Sequence, residues 1–244
     1  MPESRFSFVR WEFISRNFRR FGFEFLSIFI AVVSAFALNN WNTNRRDADA
    51  EQKILAEIES GIKKDREDIE GNIKGHENGI SATHFFRRLL DGVPTANDSI
   101  WWHYHNLTRD FILLQNVSGY ETLKSKGLEL IQDDSLRNLI ISLYEYDYRG
   151  MKDLEESYDE MQFFEHYFQP FNQALSPYFH FNEAGKIDSI QQPLPIDEAH
   201  KKALLVYLYK IQSARRFMLI GYDETLEKLN RLEFKIAEYK ASRQ

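Results

Sequence analysis

The chain contains no cysteine. Disulfides, cysteine-ligated zinc, iron–sulfur clusters and thiol catalysis are therefore excluded. The compartment stays open, because a helical domain of this size needs no disulfide even outside the cytosol. Backbone breakers are scarce, with 6 prolines and 11 glycines in 244 residues. Abundant Leu, Ile, Glu, Lys and Tyr favour helices instead. Walker A, dinucleotide-binding, HExxH, EF-hand and GxSxG motifs are all missing. Long apolar runs are nearly missing too. The exception is Phe25–Leu38, 14 residues without a charge.

Counted alone, that run is shorter than the roughly 20 residues that cross a bilayer. Counted from Phe21 to Trp41 it is 21 residues, or about 31 Å as a helix, close to the hydrocarbon thickness. Its one charge, Glu24, lies a turn from the end, where a carboxylate reaches the headgroups and Arg20 sits four residues away. Asn39, Asn40 and Trp41 suit the opposite interface. A soluble core helix would show a polar face at helical period. Here only Ser27 and Ser34 break the run, and both can bond back to their own helix. Bulky Asn39-Asn40-Trp41 is a poor cleavage site, so the segment reads as an uncleaved transmembrane anchor rather than a signal peptide. A buried soluble helix is the alternative.

Charge is unevenly placed. Residues 1–46 hold seven Arg against three Glu, a net of +4, and the other 24 basic and 34 acidic residues give the remainder −10. A basic head on an acidic body points to contact with an anionic bilayer surface, and makes nucleic acid a poor partner. Five arginines precede the span, while Arg45, Arg46 and Lys53 follow it. This bias places the N-terminus in the cytoplasm and the main domain outside it, periplasmic if the cell is Gram-negative. Residues 1–20 then form a basic, aromatic cytoplasmic or interfacial segment, 21–41 the span and 42–244 an extracytoplasmic domain. Within 5–21, Phe6, Val9, Phe13, Ile14, Phe18 and Phe21 gather loosely opposite Arg5, Glu12, Arg16 and Arg19. An interfacial amphipathic helix and a simple extension of the span both fit.

The fold class expected for the rest is all-α, an irregular bundle of long amphipathic helices. Ile54, Ile58, Ile62, Ile69, Ile73 and Ile80 recur at helical steps, interrupted by Gly61, Gly71, Gly75 and Gly79. This stripe packs on the chain's own bundle or forms a coiled coil between chains. Residues 91–100 read as a loop. Ser118 reads as the N-cap of a short helix closed by Gly127, with Glu121 at the capping-box position. A long helix is expected from Asp133-Asp134-Ser135 until Pro170 ends or kinks it. The region 171–196 has room for a short hairpin. A last helix runs from Asp197 to Tyr239, with Leu204, Leu205, Leu208, Ile211, Phe217, Ile220, Leu226, Leu229, Leu232 and Ile236 as its apolar positions.

Two separated stretches resemble an uncharacterised family of bacterial single-pass membrane proteins, known as a domain of unknown function. The first is Glu24, the apolar run Phe25–Leu38, then Asn39-Asn40-Trp41-Asn42. The second is YETLKSKGLELIQDDSLRNLIISLY, residues 120–144. They cover about a fifth of the chain, in the family's order. The resemblance implies an inner-membrane protein with a helical extracytoplasmic domain, and it implies no activity. The span here is richer in Phe, Ala and Ser than the family's, and the last 70 or so residues lie outside the match.

Candidate chemistry is thin. His103 and His105 in WWHYH would share a face on a strand and diverge on a helix. Glu165-His166 has neither dyad nor helical ligand spacing, and Phe164, Tyr167, Phe168 and Phe171 around it read as core. Asp153-Leu154-Glu155-Glu156 reads as a solvated face. No catalytic, metal or cofactor-binding residue is assigned, and no cofactor is implied. In the span, Ser27, Ala31 and Ala35 form a small-xxx-small series on the face that also carries Glu24, Ile28 and Leu38. Such a face allows close helix–helix approach. Self-association through it, with Glu24 among chains, competes with a lone anchor whose Glu24 reaches the headgroups. The first functional expectation is a membrane-anchored sensor or scaffold with a protein partner or a second copy of itself. An oligomeric channel or effector lined near Glu24 is the alternative, and an unrecognised enzyme or ligand binder in the body is a third.

Overall fold

The structure, a computed structural model, describes the backbone of residues 8–243 and the side chains of 21–243. The chain divides into two compact units, Met1–Lys53 and Ile54–Gln244. It is all-α apart from one small hairpin, as its composition requires. Helix α1 spans Phe8–Leu90, so the apolar stretch and the isoleucine stripe lie on one continuous helix. The helical wheel of 5–20 and the pairing of Glu24 with Arg20 lie outside the described side chains.

The second unit, the body, is built on α1 from Ile54 onward and on α7 (Glu198–Ser242). The two run antiparallel. Arg66 bonds Glu233 (2.8 Å) and Asn230 (2.6 Å), Lys240 meets Glu59 (2.6 Å), His84 meets Gln212, and Lys201 reaches Asp91 (3.5 Å). Ile54, Ile58, Ile62 and Ile69 are buried in the chain's own core. Each such side chain contributes about 2 kcal/mol on burial. Against α7 pack α4 (Asp134–Ser142), α5 (Tyr148–Ser157) and α6 (Gln169–Leu175). Helices α2 (Ile100–Leu107) and α3 (Ser118–Lys126) follow the 91–99 loop and an extended segment, 109–117.

Several expectations shift. Ser118 is the first residue of α3, not its cap, and no side chain caps that end. Val117 before it already takes near-helical angles, φ −90° and ψ −5°, and Gly119 lies so close to α1 that a Cβ there would stand 2.8 Å from the Ile58 nitrogen. Gly127 closes α3 as expected, at φ +103°, a conformation that disfavours any Cβ. Asp133 caps α4 by accepting from the Leu136 N–H at 2.7 Å. The helix after it is not continuous. A π turn spans Leu143–Asp147, α5 ends at Ser157, and another π turn spans Phe164–Phe168. Pro170 follows directly on that π turn, inside a helical run from Phe163 to Leu175, so the helix passes through it and ends later at Leu175. The hairpin lies at β1 (Phe179–Phe181) and β2 (Ile187–Ile190), paired antiparallel with an irregularity after His180. Asp197 caps α7 through the Ala199 and His200 N–H groups.

On α7 the buried positions are Leu204, Leu208, Ile211, Arg215, Met218, Tyr222, Thr225, Leu229, Leu232, Ile236 and Tyr239, with Ala214 beside Arg215. Apart from Ala214 they alternate steps of four and three. Phe217 and Ile220 lie off that stripe and are 55% and 59% exposed. Phe164 is likewise exposed, and its neighbour Phe163 is the buried ring.

Candidate functional site

Two places concentrate unusual side chains. One is the apolar part of α1, in the first unit. An 18-residue window there has mean hydropathy 2.2 and no part of it is buried within the chain. By length and composition it is able to cross a membrane. Phe21, Phe25, Ile28, Phe29, Phe36, Leu38 and Trp41 are all exposed. Ser27 donates to the Glu24 carbonyl at 2.9 Å, which satisfies its hydroxyl within the helix as the lipid reading requires. Ser27, Ala31 and Ala35 follow at four-residue steps on one exposed face. Asn39 and Asn40 are exposed ahead of Trp41, and the Arg45 guanidinium lies 5.9 Å from the Trp41 ring centre. That pairing sets a cation beside an amphipathic ring, a combination suited to headgroup depth.

The other is a polar centre inside the body. Arg215 is wholly buried. Its Nη2 donates to the carbonyls of Leu107 (3.0 Å) and Arg109 (2.9 Å), with Asn106 at 3.3 Å. These are the open carbonyls at the end of α2 and just past it, so a cation is favoured there. The guanidinium also lies 4.2 Å from the Phe163 ring centre and 5.9 Å from that of Phe111. Burial pulls its pKa down to about 9, still cationic at neutral pH. His76 sits against it, Nδ1 to Nη1 at 3.3 Å, with rings of Phe111 and Tyr222 about it. Burial, and then the charge of Arg215, hold His76 down to about 3. It is therefore a neutral acceptor toward Arg215, while its Nε2 has no partner among the described residues.

Around this centre, segment 109–117 is strapped down by acids. Its backbone N–H groups cannot join a sheet, so carboxylates take them. Leu113 N donates to Glu155 (2.8 Å), Leu114 N to Asp68 (2.8 Å) and Asn116 N to Asp65 (2.8 Å). Asp65 also accepts from the Asn116 amide (2.8 Å) and the Tyr148 hydroxyl (2.6 Å). Glu155 additionally accepts from the Tyr222 hydroxyl. The 153–156 cluster is thus no uniform solvated face, because Glu155 is buried and tied. Burial pushes its carboxyl up, against the pull of those two donors. Asp110 accepts from Phe163 N at 2.7 Å and caps the chain there, and burial raises it as well. The arrangement braces a strap across the body.

The remaining sequence candidates stay apart. His103 and His105 lie on α2 and diverge. His103 stacks on Phe85 at 4.1 Å, and His105 lies 3.1 Å from Arg109. Glu165 and His166 are exposed on the second π turn. Among the described residues no three His, Asp or Glu side chains gather in a metal-holding group. Sequence reasoning missed Arg215, His76 and Asp65. The available signal was their phase, since each falls on the buried stripe of its helix. No protein-family model, curated protein or solved structure matches the chain.

Proposed function

We propose that this chain is a single-pass membrane protein that uses the apolar part of α1 as its anchor and the helical body as a module for binding a protein partner or a second copy of itself. The observation that carries the reading is the fully exposed, hydropathy 2.2 window, which has no cover within its own chain. The arginine bias and the resemblance of the Glu24–Trp41 segment to bacterial inner-membrane proteins support a cytoplasmic N-terminus and an extracytoplasmic body.

Since the chain has no cysteine, single thiols report its topology cleanly. A membrane-impermeant maleimide applied to intact spheroplasts is expected to label Ser242→Cys and not Ser4→Cys, with the protein resisting alkaline carbonate extraction. The reverse labelling pattern overturns the orientation, and full extraction overturns the anchor. Purified in mild detergent, the full chain is expected to carry a stoichiometric partner or to self-associate, and a bare monomer counts against the module. If Ser27, Ala31 and Ala35 form the self-association face, Ala31→Leu with Ala35→Leu lowers the oligomer order seen by native mass spectrometry.

A further inference from the structure

A cleft of about 760 Å³ opens between the start of α2 and the β1–β2 hairpin. That is an ordinary size for a small-ligand site. One wall is Trp101, whose indole is 54% exposed. The same space is lined by Asp98, His105, Asn182, Lys186, Ile187 and Asp188.

The walls are braced beyond what two surface segments need. Thr95 N donates to the Gln192 side-chain oxygen (2.9 Å), and the Gln192 amide donates back to the Thr95 carbonyl (3.1 Å) and to Asn97 (3.0 Å). Tyr104, one turn along from Trp101, is pinned by Asn172 (2.6 Å) and packs edge-on against Phe179. The Asn182 oxygen is spent on the hairpin turn, accepting from Ala184 and Lys186 N–H groups, both at 3.0 Å. Its amide nitrogen has no partner among the described residues, and Asp98, Asp188 and Lys186 form no ion pair there. A rigid frame therefore holds an open aromatic plate beside uncommitted planar acceptors and donors.

We propose that this cleft is a saccharide-binding site for uncharged pyranose units. A pyranose presents a face of C–H groups that lies flat on an indole. Its hydroxyls both donate and accept, matching carboxylates that accept and an amide that donates. Two acids against one lysine and one histidine disfavour uronic acids. With no arginine lining it, the cleft lacks the bidentate cation that phosphate recognition uses. The site stands on the body alone and is independent of which side of a membrane the body occupies.

The test uses the full chain in phosphatidylcholine nanodiscs, free of sugar detergents. Cellotetraose, maltotetraose and chitotetraose are titrated by calorimetry and Trp fluorescence, with tetragalacturonate as the acidic control. At least one neutral tetrasaccharide is expected to bind saturably, and tetragalacturonate at least about tenfold more weakly. Trp101→Ala is expected to weaken binding at least about tenfold, with partial retention in Trp101→Phe, while the thermal midpoint stays unchanged because the ring is exposed. Asp188→Asn weakens binding and keeps the fold. The proposal is overturned if no neutral probe binds up to about 10 mM, or if Trp101→Ala binds as the unmodified chain does.

Discussion

Gly79 carries no side chain because Arg215 fills the space one would need. A Cβ there would collide with the guanidinium, and Arg215 cannot swing away without abandoning three carbonyls and the Phe163 face. Gly79→Ala gains up to about 1 kcal/mol of helix propensity. It is nevertheless expected to destabilise the body by about 2 kcal/mol through overpacking, read as a lower denaturation midpoint at unchanged slope. His76 makes a pH prediction. Its folded pKa, about 3, lies below the ordinary 6.5, so the unfolded chain binds the proton first. The stabilisation is complete above pH 6.5 and is lost as pH falls from there toward 3, by roughly 5 kcal/mol in all. The raised Glu155 and Asp110 act in the opposite sense at lower pH. The informative quantity is therefore the difference between the unmodified chain and His76→Gln in thermal midpoint between pH 7.5 and 5, which is expected to shrink. The buried stripe of α7 was partly legible, since Leu204, Leu208, Ile211, Leu229, Leu232 and Ile236 announce themselves. Between them the apolar choices Phe217 and Ile220 mislead, because the position that points inward is occupied by a cation. Hydropathy alone cannot find a residue buried for the donors at the end of its guanidinium.

At the scale of elements, the segment 109–117 was the least legible part. It has neither strand nor helix periodicity, and the groups that fix it lie about 40 to 50 residues away in both directions: Asp65 and Asp68 before it, Glu155 after it. Acids at such positions look like solvent-facing helix residues until the strap is laid across them. Asp65→Ala leaves the Asn116 N–H and the Tyr148 hydroxyl without their acceptor, so a loss of about 3 kcal/mol is expected. It should come with faster hydrogen exchange at Leu114 and Asn116, while the start of α4 at Asp133 keeps its protection. By contrast, helix starts with a side-chain cap were readable. Asp133 and Asp197 do what their position in the sequence implies. The start of α3 was misread because Val117, a residue with no capping side chain, already turns into helical backbone one position ahead of Ser118.

For the whole molecule, composition carried the fold class, and the one apolar stretch carried the membrane-length helix. The isoleucine stripe announced a partner helix without saying which one. Its partner is α7, more than a hundred residues later. The ion pairs along that seam contribute little singly. Lys240→Ala, which removes the contact with Glu59, is expected to cost under about 1 kcal/mol in equilibrium unfolding, far less than any change in the buried stripe. The antiparallel seam also has a mechanical consequence. Ile54 and Tyr239 lie at one pole of the body, while Leu90, the start of α7 and the Trp101 cleft lie at the other, about 55 Å of helix away. A load applied between the two near ends peels α1 from α7 one layer at a time. A load applied from Ile54 to the start of α7 at Glu198 runs lengthwise and shears the whole seam at once. Optical-trap handles at Ile54 and Tyr239 are expected to rip at markedly lower force than handles at Ile54 and Glu198, so the body resists best a load directed along its seam.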